Sequence, residues 1–282
     1  MELVTTFFDS WALFRDSVLA GTVAGAMLGM LGVYIVLRRM VFLSAALSQT
    51  AGFGVTLAFY AQIHLGIPAL VASPSLGAIV LTLGVVALLM LDRTHESGRR
   101  DAFLGLAFLL GSAGALLVGT RIVQEIHDIE TLLFGTAVAV IPEDFVALLV
   151  VAALIFALHI LWRRGFTAVA IDPVDAQVRG LPVRIIEITL LASLALAISI
   201  TTKILGALPA FAFSVLPAMA AVRVAPNVDV SLVIGTLLGA VCGFAGYFVA
   251  YAWDLPVGAS QTLVGVALVA IVSSVGLVAR RD

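Results

Sequence analysis

Nine apolar runs, each close to the length that crosses a bilayer, leave this chain few ways to fold. They lie at approximately 17–37, 41–62, 68–91, 102–120, 144–162, 185–202, 204–222, 229–252 and 259–279, separated by charged and turn-forming residues. A hydrocarbon core about 30 Å thick takes roughly 20 helical residues to cross. In lipid, backbone N–H and C=O groups find partners only in helices or closed barrels, and these runs lack the two-residue alternation of barrel strands. The expectation is an all-α polytopic membrane helical bundle of about nine transmembrane helices, with 1–282 forming one transmembrane domain. The run 204–222 is the least regular, since Gly206, Pro209 and Pro217 interrupt it.

Sidedness follows from the basic residues. If Arg38 and Arg39 face inward and the spans alternate, every Lys and Arg except Arg15, Arg121 and Lys203 falls inside, which predicts an N-outside, C-inside chain. The N-terminus has no basic n-region ahead of its first apolar run, so that run is read as a retained span. Apolar residues make up 62% of the chain and charged ones 11%. The remaining residues are scattered in short connections, with no room for a soluble catalytic or nucleotide-binding domain. The chain is therefore read as no enzyme, binding no cofactor of its own, and its net charge of −2 excludes a nucleic-acid footprint. Cys242, the single cysteine, lies in an apolar run and reads as a small buried side chain.

Two connections exceed turn length. The outer one, 121–143, mixes Glu125, His127, Asp128 and Glu130 with an apolar piece too short to span, and is expected to lie at the external surface. The inner one, 163–184, reads as a short cytoplasmic helix opened by Asp172-Pro173 and closed by Gly180, because Asp caps helix starts, Pro fits the first turn and Gly follows helix ends. It is either a docking element or a plain connector.

Glycines recur at spacings of four, four and three in the first span (Gly21, Gly25, Gly29, Gly32) and in the eighth (Gly235, Gly239, Gly243, Gly246). Such stripes let helix backbones approach closely in lipid. Their likeness is read as convergent packing, since the two spans run in opposite directions. No carboxylate falls near a bilayer centre, which argues against an ion-coupled carrier and against a carboxylate-lined pore. In the second span Ser44, Ser48, Gln49 and Thr50 are polar, and Ala45 and Gln49 share a face. They serve either helix–helix hydrogen bonding or a substrate path. His64, His95, His127 and His159 never pair at three or four residues, so spacing assigns no metal ligands.

Several stretches together resemble the membrane subunit of the ABC importers for zinc and manganese. They are GVYIVLRRMVFLSAALSQTAGFGVTLAF at 32–59, ETLLFGTAVAV at 130–140, AIDPVDAQVRGLPV at 170–183, KILGALPAFAFSVLPAMAA at 203–221 and DLPVGASQTLVGVAL at 254–268, in the family's order. The resemblance implies a multi-pass permease of the inner membrane, working as a dimer with a second copy of itself. It further implies a partner ATPase subunit that uses ATP and an extracytoplasmic substrate-binding protein. It implies that Asp172, Asp175, Ala176, Gly180 and Leu181 belong to the segment coupled to the ATPase.

The family's second span usually reads Gly-Asp-Ala-x-Ser-His, whereas the matching positions here hold Ser44, Ala45, Ala46, Leu47, Ser48 and Gln49. Alanine has no donor atom, and an amide oxygen is a poorer partner for a zinc-like ion than imidazole or carboxylate. The cargo is therefore a metal in chelated form, an organic solute, or a metal held by ligands elsewhere such as Ser48 and backbone carbonyls. A non-pumping membrane scaffold of the same fold is the alternative from another class.

Overall fold

The computed structural model describes residues 6–8, 11–91, 97–122 and 140–278. Most of the predicted external segment, with His127, Asp128, Glu130 and the stretch 130–139, lies outside the described residues. The helices are α1 (Trp11–Leu37), α2 (Val41–Leu65), α3 (Pro74–Leu91), α4 (Ser97–Gly119), α5 (Pro142–Leu161), α6 (Arg163–Ile171), α7 (Pro173–Val178), α8 (Val183–Leu205), α9 (Ala207–Val224), α10 (Val228–Trp253) and α11 (Val257–Val278). A helix stands at each of the nine predicted runs. Eight are long and apolar enough to cross a membrane, and α11 has a shorter qualifying stretch, Val257–Val272, among the described residues.

The boundaries shift for local reasons. α1 starts at Trp11, taking in Arg15 and Asp16, which pair with each other at 3.1 Å at the helix end. The irregular run is a helix after all: Gly206, with φ of 102°, separates α8 from α9, and α9 carries Pro217 within it. The inner segment holds two helices where one was expected. α6 follows α5 directly through Trp162, and it forms because Phe166, Val169 and Ala170 fall on one buried face. Phe166 stacks on the His159 ring of α5 at 4.2 Å, and His159 Nε2 lies 3.0 Å from Ser193 Oγ of α8. His159 is thus a packing residue joining α5, α6 and α8.

The two glycine stripes meet each other. α1 and α10 run antiparallel with Gly21 opposite Gly243, Gly25 opposite Gly239 and Gly29 opposite Gly235. Gly32 lies against Ser214 of α9 and Gly246 against Gln261 of α11, so the fourth glycine of each stripe makes room for a different neighbour. A second close pair, Gly54 and Gly77, joins α2 to α3. α8 reaches α3 through Thr82 Oγ1 and Ser199 Oγ at 2.6 Å. Cys242 is buried and free, as expected.

Charged groups gather at the two ends of the bundle. At the end carrying α6 and α7, Arg38 pairs with Glu187, Arg100 approaches Glu187 at 3.6 Å, and Arg163 approaches Asp229 at 3.4 Å. At the other end Lys203 of α8 pairs with Asp144 of α5. The same end carries an aromatic cluster in which Phe7 contacts Phe14, Phe248 and Tyr251 at 5.0–5.2 Å between ring centres. The start of α1 and the end of α10 therefore share one end of the bundle, as alternating spans require.

Candidate translocation path and coupling site

α2 lies between α3 and α4, its flanks set by small residues. A Cβ on Gly111 of α4 would stand 2.7 Å from the backbone of Gln49 and Thr50, so the two helices touch backbone to backbone at the predicted path position. Ser44, Ala45 and Ser48 are buried. Ser48 Oγ donates to the Ala45 carbonyl at 3.0 Å, which keeps its proton within the helix. Ser44 Oγ and Gln49 Oε1 are buried with no hydrogen-bond partner. Buried polar atoms are rarely left so, because each costs about 1–3 kcal/mol. The stretch thus offers neutral oxygens, and among the described residues no three His, Cys, Asp or Glu side chains come together as a metal-ligand set.

The predicted coupling residues assemble into one short, firmly ended helix. Asp172 caps α7, its Oδ1 accepting from the N–H groups of Val174 at 2.8 Å and Asp175 at 3.0 Å. At the far end Gly180 takes φ of 78°, a left-handed conformation that costs a residue with a Cβ roughly 1–2 kcal/mol. The turn is closed by Gly180 N–H donating to the Gln177 carbonyl and Leu181 N–H to the Ala176 carbonyl, at 3.0 and 3.1 Å. Ala176 is fully buried and Leu181 packs partly against the core, so these two pin α7 to the bundle. Asp175 is exposed and pairs with Arg179 at 2.7 Å.

Beneath α7 runs a cleft of about 1140 Å³. Gln177, Leu181 and Pro182 line it on one side, and Arg38, Arg100 and Glu187 on the other. The Arg38 side chain is only 10% exposed, and its second terminal nitrogen, Nη1, is buried without a partner. Glu187 sits one turn into α8, so the helix that leaves α7 is tied at once to α1 and α4.

This architecture is shared with solved structures. A chain of PsaBC from Streptococcus pneumoniae superposes with a TM-score of 0.83 over 95% of both chains at 22% identity. An inward-facing ABC transporter described as metal-chelate type gives 0.76 over 94% of this chain and 88% of that one, at 18% identity. Those likenesses establish the fold. The family model of the ABC 3 transport family matches residues 10–276. The chain belongs to the ABC 3 transport family. Among its relatives, the manganese transport system membrane protein MntC of Halalkalibacterium halodurans is 26% identical over 276 residues, 96% of this chain and 91% of that protein. As an ABC 3 member the chain is a multi-pass membrane permease of a metal-transport family and not an enzyme.

Against that family frame, three features were not anticipated. The ion-paired Arg38, Arg100 and Glu187 come from three separate runs, and only their positions at run ends hinted at a common location. Val174 and Val178 of α7 are exposed, at 69% and 83%, and Val174 also borders the cleft. Two valines one turn apart, flanking Asp175 and Gln177, were visible in the sequence as such a signal. The partnering of the two glycine stripes was not.

Proposed function

We propose that this ABC 3 permease is the membrane subunit of an ATP-driven importer, with two copies forming one path and the N-terminus outside. Its cargo on this reading is a divalent metal in chelated form, handed over by an extracytoplasmic binding protein. An ATPase subunit docks on α7, within the 163–184 segment, where Val174 and Val178 offer apolar contact and the Asp172 cap and Gly180 turn keep α7 rigid enough to transmit a push. Glu187 carries the displacement into α1 and α4, and α8 delivers it to its far end at Lys203.

The observation behind the choice of cargo is the neutral donor set of α2. Ser44 and Gln49 hold buried oxygens without partners, while Ala45 has no donor. A bare zinc-like ion loses its hydration on entering such a path and regains too little from serine and amide oxygens. A chelate brings its own ligands and needs only hydrogen-bonding groups along the way. The relatives named for manganese transport support a metal as the transported element.

The test is uptake into vesicles by the reconstituted permease with its ATPase and binding protein, comparing free zinc and manganese with the same ions presented as small-molecule chelates. ATP-dependent uptake of the chelate in preference to the free ion is expected. Strong uptake of the free ion by the unmodified chain overturns the cargo, and absence of ATP-dependent uptake of either form overturns the importer.

A further inference from the structure

A second cleft, about 630 Å³, opens on the flank of the bundle where α5 ends. Ile160 and Leu161 from α5, Pro182 from the turn before α8 and Ile186 from the first turn of α8 give it an apolar floor. Trp162, 47% exposed, stands at its side, with Arg163 and Arg164 beyond it. Arg163 is drawn toward Asp229, but Arg164 has no hydrogen-bond or ion-pair partner among the described residues.

The cleft is also the lower end of a longer surface. Along α5, Val146, Val150, Leu154 and Leu161 recur at helical spacing with 56%, 53%, 63% and 80% exposure. A soluble partner cannot follow that stripe into the hydrocarbon region, whereas an acyl chain lies against it throughout its length. Where the stripe stops, the surface becomes an indole and two guanidinium groups, the combination that sits at the level of lipid headgroups. Apolar length followed by positive charge is the complement of an anionic amphiphile.

We propose that this cleft is a binding site for an anionic phospholipid, with an acyl chain against α5 and in the cleft and the phosphate held by Arg164 and Arg163. The inference rests on the proposed sidedness, in which this end of the bundle faces the cytoplasm. Because Leu181 and Pro182 also line the cleft, the bound lipid is wedged between α5 and the turn that joins α7 to α8. Its occupancy would bias the position of the coupling helix, making lipid composition a regulator of the permease.

Native mass spectrometry of the detergent-purified chain, exchanged with equal amounts of phosphatidylglycerol and phosphatidylcholine, reads the site directly. The unmodified chain is expected to retain phosphatidylglycerol preferentially. Loss of one interfacial arginine should cut retention about fivefold, from roughly 1 kcal/mol per basic residue. Arg163→Gln with Arg164→Gln should therefore abolish the preference, and Leu161→Gln, at an exposed position that does not threaten folding, should weaken retention of both lipids. Arg121→Gln, at an exposed arginine outside the cleft, should change nothing. Equal retention of the two lipids by the unmodified chain, or an Arg121→Gln effect as large as that of the double variant, overturns the site. A second copy seated on the cleft would appear as a dimer mass without bound lipid and would overturn it too. The measurement uses neither ATPase nor cargo, so failure of the transport reading and failure of this site are seen separately.

Discussion

A Cβ built on Gly25 would stand 2.1 Å from the Gly239 carbonyl oxygen, and one on Gly239 would stand 2.0 Å from that of Gly25. The obstacle on each side is backbone in a packed helix, which has no side-chain freedom with which to give way. Gly25→Ala or Gly239→Ala should lower stability by about 1–3 kcal/mol, and Gly25→Leu by more, read as a fall in the thermal unfolding midpoint in detergent and a loss of recoverable protein. Gly52 and Gly84 meet nothing within 4 Å, so Gly52→Ala and Gly84→Ala should be neutral or gain up to about 1 kcal/mol of helix propensity. Equal midpoints for the two pairs would mean that α1 and α10 do not touch. Glu187 is the other residue on which much depends, since it answers a nine-tenths buried arginine. Glu187→Gln should cost about 1–3 kcal/mol, between the values for exposed and buried pairs. Arg38→Gln combined with Glu187→Gln should recover part of that loss in a double-mutant cycle, whereas strict additivity would show that the two charges do not interact.

At the scale of elements, α7 is the part whose geometry does most with fewest residues. Six residues cannot hold a helix by propensity, because nucleation is unfavourable and a chain this short gains few hydrogen bonds to offset it. α7 exists because Asp172 satisfies its first N–H groups, Gly180 turns the chain back, and Ala176 is buried against the bundle. Asp172→Ala should remove a cap worth about 1 kcal/mol, and Gly180→Ala should strain the closing turn by a similar amount. Both variants should keep the thermal midpoint of the unmodified chain within a few degrees while transport per ATP hydrolysed by the reconstituted complex falls. Unchanged stimulation of the ATPase and unchanged uptake in both would remove α7 from the coupling role. α8 makes that role mechanically reasonable, since it is bonded near one end through Glu187 and near the other through Lys203.

For the molecule as a whole, the question is what a path with this lining can carry. α1 and α2 are the most enclosed of the membrane-length helices among the described residues, and α3, α4 and α5 present much of their apolar surface outward, so the path proposed along α2 would be shielded from lipid. If the path accepts a chelate, Ala45→Asp and Gln49→His should impede uptake by placing ionisable groups where only neutral oxygens stand, at a cost of several kcal/mol when unpaired. Uptake of the chelate by the reconstituted complex is expected to fall in both variants. A gain in free zinc or manganese uptake without loss of chelate transport would show that the path is an ordinary ion site lacking two ligands.

The sequence by itself determined the membrane-length helices and the ends of α7. Hydrocarbon thickness and the need to satisfy backbone groups turn apolar runs of this length into helices, and Asp172, Pro173 and Gly180 write the ends of α7 in local chemistry that no distant contact alters. It also displayed the loss of ionisable donors at Ala45 and Gln49, which the family resemblance made meaningful. It did not display α6, whose buried face is recognisable only once Tyr34 and His159 are beside it. Nor did it say that the Gly25 stripe meets the Gly239 stripe, or that Arg38, Arg100 and Glu187 gather at one point. Glycine spacing shows that a helix has a face for close approach, and charge at a span end shows depth; neither names a partner. Lipid offers no hydrophobic preference between one helix surface and another, so partner choice rests on close-range shape and pairing. Those depend on all the helices at once, and only the tertiary structure decides them.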